Sequence, residues 1–424
     1  MTQPIASAPR SSPADLRANH HRDVAGALGM GITMALVSGL LPGAARKAGI
    51  DPVGLAVIAA APFLANRLGV YAGRTGPWST RGFALLRAGG ALLLVLLVVL
   101  PVPGSIAGIV LGYWLTIAFG IPIQHRIWGA IYPVATRGRY LGFVIAGRTA
   151  AGGVAALVGG LLADRIGGFG AIAIAGCAGA LCALVTAGIR APLPAGAGSF
   201  SVRETWRAYR DVPALRRVGW AQGFYGGGLI AAGPLYALVQ VDRLGLSLAQ
   251  IGTIAVVGSI AATGSGLAWG RISDRRGGLA IIQVGTVLGA LSLLCYAFAP
   301  SLVVLWLAAI LVGLANAAME TGWPSLVADH TSLADRAKAV AGLNALTGAR
   351  GLIAPFIGPV LVQAGVLSVT TAIVLCSVAT AFGAFLYLGM RPSGEPRGWV
   401  VRADDTAHRA GRRARRLFGS HHEP

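Results

Sequence analysis

Gly270-Arg-Ile-Ser-Asp274-Arg275-Arg276-Gly277 sits between two long apolar runs, and the chain carries more than one version of it. Gly69-Val-Tyr-Ala-Gly73-Arg74-Thr-Gly76 closes an earlier apolar run, and Gly160-Leu-Leu-Ala-Asp164-Arg165-Ile-Gly167 closes another. The pairs Arg137-Gly-Arg139 and Asp335-Arg336-Ala-Lys338 also correspond, each opening a glycine-rich run, and the repeat offset is about 200 residues. Six apolar runs fall within each period. A unit of six spans, written twice, is the plainest account of that pattern, because two similar bundles can rock about a shared site.

Composition fixes the class of those spans. Of 424 residues, 55% are hydrophobic and only 12% charged, about half the charge of a soluble domain, and mean hydropathy is +0.69. Twelve spans of about 20 residues fit this length and leave room for short loops, two tails and one larger central loop. Glycine and alanine crowd the runs without the two-residue alternation a lipid-facing barrel needs. The expectation is an all-α membrane protein of twelve transmembrane helices in two pseudo-symmetric six-helix bundles. Its parts are a cytoplasmic N-tail at 1–23, a first bundle at 24–189, a central cytoplasmic loop at 190–216 with a short surface helix near 202–210, a second bundle at 217–390, and a basic C-tail at 391–424. No leader peptide is read at the start; the first apolar run, from Val24, is taken as an uncleaved helix.

The net charge of +20 follows topology. Arginines crowd the two tails, the central loop and the connections holding Arg74, Arg137 and Arg275, whereas the opposite connections hold only Arg46, Lys47, Arg165 and Arg243. By the positive-inside rule both termini are cytoplasmic, in the cell membrane and by expectation a bacterial inner membrane. The run Arg412 to Arg416 is read as a solvated tail touching anionic lipid headgroups, with no nucleic-acid role. Cys177, Cys182, Cys295 and Cys376 all lie in apolar runs and are read as packing residues, with no metal or cofactor.

On these residues the chain resembles the major facilitator superfamily. The resemblance rests on the six-plus-six layout, the cytoplasmic central loop, and the G-x-x-x-D-R-x-G signature after helices two and eight. It implies a conformational latch at Gly69, Arg74 and Gly76 in the first half and at Gly270, Asp274, Arg275 and Gly277 in the second. Gly73 stands where that family has Asp, so the first latch is incomplete. The family's antiporter signature joins Gly-Pro to paired glycines; Gly152, Gly153, Gly159 and Gly160 lack the proline, which argues weakly against a drug/proton antiporter.

Ionisable residues inside spans are costly and therefore candidates for function. Glu320 is the one carboxylate inside an apolar run; Asn316 and Glu320, four apart, share a helix face with Trp323. That face is expected to line a central cavity, with Glu320 carrying a proton or contacting substrate; the alternative is a wetted residue near the helix end. Gln124, His125 and Arg126 hold the matching place in helix four, with His125 opposite Glu320, or else form a cluster reaching the interface. Arg148 and Arg350 occupy matching places near the midplane and suggest an anionic substrate clamped between halves, unless backbone carbonyls satisfy them. Gln222 and Tyr225 could contact substrate. Arg67 and Arg87 are expected to snorkel to the interface.

The function that follows is secondary active transport of a small solute by alternating access, by expectation anionic and proton-coupled, by a monomer. Two other readings stand beside it: efflux of a neutral or cationic drug or metabolite by antiport, and a non-transporting sensor or assembly protein. No catalytic motif and no nucleotide-binding loop is present, so an enzyme or an ATP-driven pump is not expected.

Overall fold

A leucine-, alanine- and glycine-rich segment in hydrocarbon must satisfy its backbone N–H and C=O groups within itself, and a helix does so at each residue. The computed structural model of the protein describes residues 13–69, 79–133, 136–191, 213–330 and 333–390. Among these residues there are twelve long helices and no strand. In the first half α1 is Pro13–Ala35, continued through a π-helical stretch, Leu36–Leu40, into Leu41–Lys47. Then come α2 Pro52–Gly69, α3 Thr80–Leu93 with a further turn at Leu96–Val99, α4 Pro103–Ile131, α5 Arg137–Ile166 and α6 Gly168–Val185. In the second half α7 is Pro213–Ala237 with its own π-helical stretch, Leu238–Arg243, followed by α8 Leu248–Arg276, α9 Gly278–Ala297, α10 Leu302–His330, α11 Leu333–Gln363 and α12 Val369–Leu388. Eleven of the helices are long and apolar enough to cross a membrane; side chains of α11 are described only from Thr347 onward.

The helix ends follow local chemistry. Ser79 and Ser368 cap α3 and α12 by accepting from the N–H of the third residue on, and Ser247 with Gln250 forms a reciprocal capping box on α8. Gly167 and Gly277, the last residues of two copies of the repeated motif, have φ of 85° and 83°. Each is the single linking residue between consecutive helices, α5 to α6 and α8 to α9. A side chain would strain that left-handed turn, which explains the terminal glycine of the motif.

Packing repeats with the sequence. In the first half α1 packs on α5 and α6, α2 on α4, and α3 on α4 and α6. In the second, α7 packs on α11 and α12, α8 on α10, and α9 on α10 and α12, so each pairing recurs six helices on. The main seams between the halves are α5 with α8 and α2 with α11. The helices alternate in direction. Lys47, Pro52, Ile166, Arg243, Leu248 and Gln363 therefore mark one end, called the far end. The starts of α1, α5 and α7 and the ends of α4, α6, α8 and α12 mark the other, called the terminal end.

One expectation changes. The first helix begins at Pro13, so much of the stretch assigned to an N-tail is helical. The surface helix near 202–210, the C-tail, and latch residues Arg74 and Gly76 lie outside the described residues.

Candidate functional site

Glycines along α5 and α8 measure how far apart the halves stand. A methyl group built on Gly252 would collide with the Ala156 carbonyl oxygen, and one on Gly160 would lie 2.7 Å from that of Leu248. A few turns away, a methyl on Gly153 would be 3.5 Å from Ser259 Cβ, an ordinary contact. Towards the terminal end, one on Gly142, Gly264 or Gly266 would meet nothing within 4 Å. The two helices touch at the far end and part towards the terminal end. The other seam is different: α2 and α11 stay in contact from Asp51 and Gln363 at the far end to Phe63 on Gly351 and Arg67 on Gly348.

Polar contacts across the halves reinforce the far end. The Asp164 carboxylate, on the last turn of α5, accepts from the N–H groups of Leu248 (2.9 Å) and Ala249 (3.2 Å) at the start of α8. The capping box satisfies the N–H groups of Ser247 and Gln250, so the opening of α8 is fully bonded, half of it by the other bundle. Arg46 donates its Nε to both Asp242 oxygens at 2.9 Å, and the Gln363 amide bridges Asp51 and the Val53 N–H. Beneath these contacts a single apolar core draws on both halves, and it includes Leu36, Leu40 and Leu41 of the first and Leu238, Leu248 and Ile251 of the second.

Where the helices part lies a cavity of about 740 Å³ between α1, α5, α7, α8, α9 and α10. Its floor, near the far end, is formed by Gln240, Tyr296 and Ile251, all buried, whereas Gly142, Thr263, Asn316 and Glu320 towards the terminal end are more open. The cavity therefore opens at the terminal end. Gln240 donates to the Tyr296 hydroxyl (3.1 Å), and Tyr236 stacks on Tyr296 with ring centroids 4.1 Å apart. Both π-helical stretches border the cavity, through Ser38 and Gly39 in α1 and Gln240 in α7. Such wide turns interrupt regular helix bonding and recur beside functional sites. Among the described lining residues Glu320 is the one carboxylate, and no arginine, lysine or histidine is present.

The expected site residues separate into three places. Asn316 and Glu320 stand on the cavity wall, one helical turn apart; Trp323 does not. Gln124, His125 and Arg126 are not on that wall; the His125 ring lies edge-on against Trp128 at 5.1 Å, so it does not face Glu320 across the cavity. Arg148 and Arg350 also lie off the wall. Arg350 donates to the backbone carbonyl of Gln222, within its own half, and sits beside Thr347 at 3.3 Å. Gln222 and Tyr225 join it there: the Gln222 side chain accepts from the Tyr387 hydroxyl at 3.1 Å, and Tyr225 is buried against Gly289. These three residues thus form an interior network of the second half. In the latch motif, Gly69 packs on Ala118 of α4, Gly277 makes the turn, and Asp274 and Arg275 are exposed at the end of α8, near the open Gly270.

Arg87 does not snorkel. It is 9% exposed, its guanidinium touches the Met30 sulfur and lies 5.7 Å from the Phe83 ring centre. Sequence reading also misses Asp23, which is buried between α1 and α4 although the residues before it are polar. The polar cavity-floor residues Gln240 and Tyr296 escape it as well; a glutamine inside an apolar run is the available signal.

Comparisons with known proteins agree with this architecture. The sequence model described as Major Facilitator Superfamily matches residues 24–302 and 218–420. No curated protein matches the chain significantly. Among solved structures, the nucleoside transporter NupG superposes with a TM-score of 0.70 at 16% identity, covering 87% of this chain and 98% of that one. A POT family transporter in complex with 5-aminolevulinic acid gives 0.69 at 11% identity, covering 87% and 95%. A bacterial homologue of the human lysosomal transporter Spinster, in an inward-facing and unoccupied conformation, gives 0.61 at 15%, covering 89% and 97%. Likeness at these identities is likeness of fold.

Proposed function

The chain belongs to the major facilitator superfamily, and from that premise we propose that it carries a small neutral or cationic polar solute through the cavity between its halves, with Glu320 as the coupling residue. It is a transporter and not an enzyme. The observation that carries the proposal is the cavity itself: about 740 Å³, open at one end, with Glu320 its one described carboxylate and no described cation. An anionic solute would enter a site with a carboxylate and nothing to balance it, and that like-charge approach costs energy in a low dielectric. A cation gains instead, and a neutral polar solute finds Asn316, Gln240, Ser38 and Thr149 on the wall.

A carboxylate that is wet in the open state and enclosed when the halves close is suited to exchange a proton once per cycle. With both termini in the cytoplasm, as the arginine distribution argues, the open end faces the cytoplasm and the sealed end faces outward. The unit is a monomer in the cell membrane, because each half supplies one side of the cavity.

Flux in proteoliposomes with an imposed pH gradient tests this. Cationic and neutral solutes are expected to move with the gradient, and Glu320→Gln is expected to lower gradient-driven flux about tenfold or more. Flux confined to anionic solutes, or equal in the wild type and Glu320→Gln, would contradict the proposal.

A further inference from the structure

The first half holds a buried acid that the cavity does not use. Asp23, 5% exposed, accepts from the Tyr132 hydroxyl at 2.7 Å and from Trp128 Nε1 at 2.9 Å, both borne by α4 and its C-terminal cap. The same Tyr132 hydroxyl lies 3.1 Å from His20 Nδ1, one turn before Asp23 on α1. His20 is half-buried beside the exposed His21, with ring centroids 6.2 Å apart, and packs edge-on against Tyr140 of α5 at 4.9 Å. Tyr140 in turn stacks on Tyr132.

The surrounding cations are engaged elsewhere. Arg137 donates to the carbonyls of Tyr132 and Gly129, the Arg190 backbone is bonded in both directions by Asn19, and its side chain approaches Asp15 at 4.0 Å. Arg22 lies against Gly188. No lysine or arginine among the described residues pairs with Asp23. Among the described residues its hydrogen bonds come from two uncharged donors, Trp128 and Tyr132, and the second also reaches a histidine at the terminal end.

We propose that Asp23 is a proton-binding residue of the first half, loaded from the terminal end through His20 and Tyr132. A phenol has one hydrogen, so with Asp23 ionised the Tyr132 O–H donates to Asp23 and accepts from His20 Nδ1–H. In loading, His20 Nε2 takes a proton from water and Nδ1 releases its own to the Tyr132 oxygen. The original Tyr132 proton passes to Asp23 Oδ2. The histidine ends neutral with its hydrogen on Nε2, the phenol keeps one hydrogen, and the acid has gained one. The reverse order unloads it. Because Trp128 and Tyr132 anchor α4 to this carboxylate, loading weakens the tie between α4 and α1, the helix that carries a π-helical stretch beside the cavity. This site is separate from Glu320 and does not depend on its role.

The test is infrared difference spectroscopy of the purified full-length protein between acidic and alkaline buffer, with the proton as the only ligand. Above the broad contribution of the exposed carboxylates, a discrete protonated-carboxyl carbonyl band is expected in the wild type and in Glu320→Gln, shifted in Asp23→Glu, and missing in Asp23→Asn. After a rapid pH jump, Tyr132→Phe is expected to keep the band and slow its appearance by about tenfold or more. An unchanged band in Asp23→Asn would overturn the assignment of the acid, and unchanged kinetics in Tyr132→Phe would overturn the route. If Asp23→Asn fails to fold, Asp23→Glu decides: a band at the wild-type position overturns the proposal. Failure of Glu320→Gln to alter flux bears only on the cavity.

Discussion

The two ends of the α5–α8 seam are built from the same residue type and behave in opposite ways. At the far end glycine brings backbones together: Gly160 and Gly252 leave no room for a side chain, and a carboxylate from one half caps a helix of the other. At the terminal end Gly142, Gly264 and Gly266 face open space. Small residues allow close helix approach in membranes, and a stripe of them along the whole seam permits contact at either end. The closed end also carries polar contacts between the halves: Asp164 on the start of α8, Arg46 with Asp242 at the ends of α1 and α7, and Gln363 with Asp51 on the α2–α11 seam.

Filling the tight end should break the comparison most strongly. Gly252→Leu forces a branched side chain into the Ala156 carbonyl, and overpacking of this kind costs about 1–3 kcal/mol. The expected result is a shift of roughly tenfold or more away from the far-end-sealed state, read as faster labelling of a reporter cysteine at Gln240 by a membrane-impermeant reagent added on the far-end side. Gly264→Leu, at the open end, should leave that labelling unchanged.

Removing the cap from the other half is a smaller change. Asp164→Asn keeps an acceptor but loses the charge facing the start of α8, about 0.5–2 kcal/mol, and should raise far-end accessibility several-fold. Ser247→Ala sharpens the result. Its cap lies within α8 alone and takes nothing from the other half, so the substitution should lower thermal stability while leaving the accessibility ratio near that of the wild type.

The smallest effect belongs to Arg46→Ala. The pair with Asp242 is partly exposed, at 25% and 42% for the two side chains, and such pairs are worth about 0.2–1 kcal/mol. A change in accessibility of at most a few-fold is expected, vanishing in high salt because screening removes it. A shift as large as that of Gly252→Leu would mean that the ion pair is worth far more than its exposure allows.

Much of this was legible in the sequence. Apolar runs, their repetition and the motif ending in Gly167 and Gly277 specify an all-helical duplicated bundle, because those signals are local and periodic. A four-residue spacing puts Glu320 and Asn316 on one helix face, and both line the cavity, whereas Trp323, expected on the same face, does not. What could not be read was which interior each buried charge occupies. Arg148 and Arg350 are deep enough to suggest a clamp, yet depth along a helix says nothing of rotation about it, and Arg350 turns into its own half. Asp23 was hidden by its polar neighbours, since hydropathy averages over a window while burial is set by what packs across it. Asp164 showed in the sequence only as part of the repeated motif, because its partner, the start of α8, lies far off in sequence.

The central claim is that the α5–α8 seam exchanges which end is closed. Spin labels in a background lacking the native cysteines, one pair at Gly142 and Gly266 and another at Arg165 and Gln250, would measure both ends by pulsed dipolar spectroscopy in acidic and alkaline proteoliposomes. The account predicts two populations for each pair, with the short distance at one end rising as the short distance at the other falls. Distances that change together, or a terminal-end pair that stays long in every condition, would contradict it.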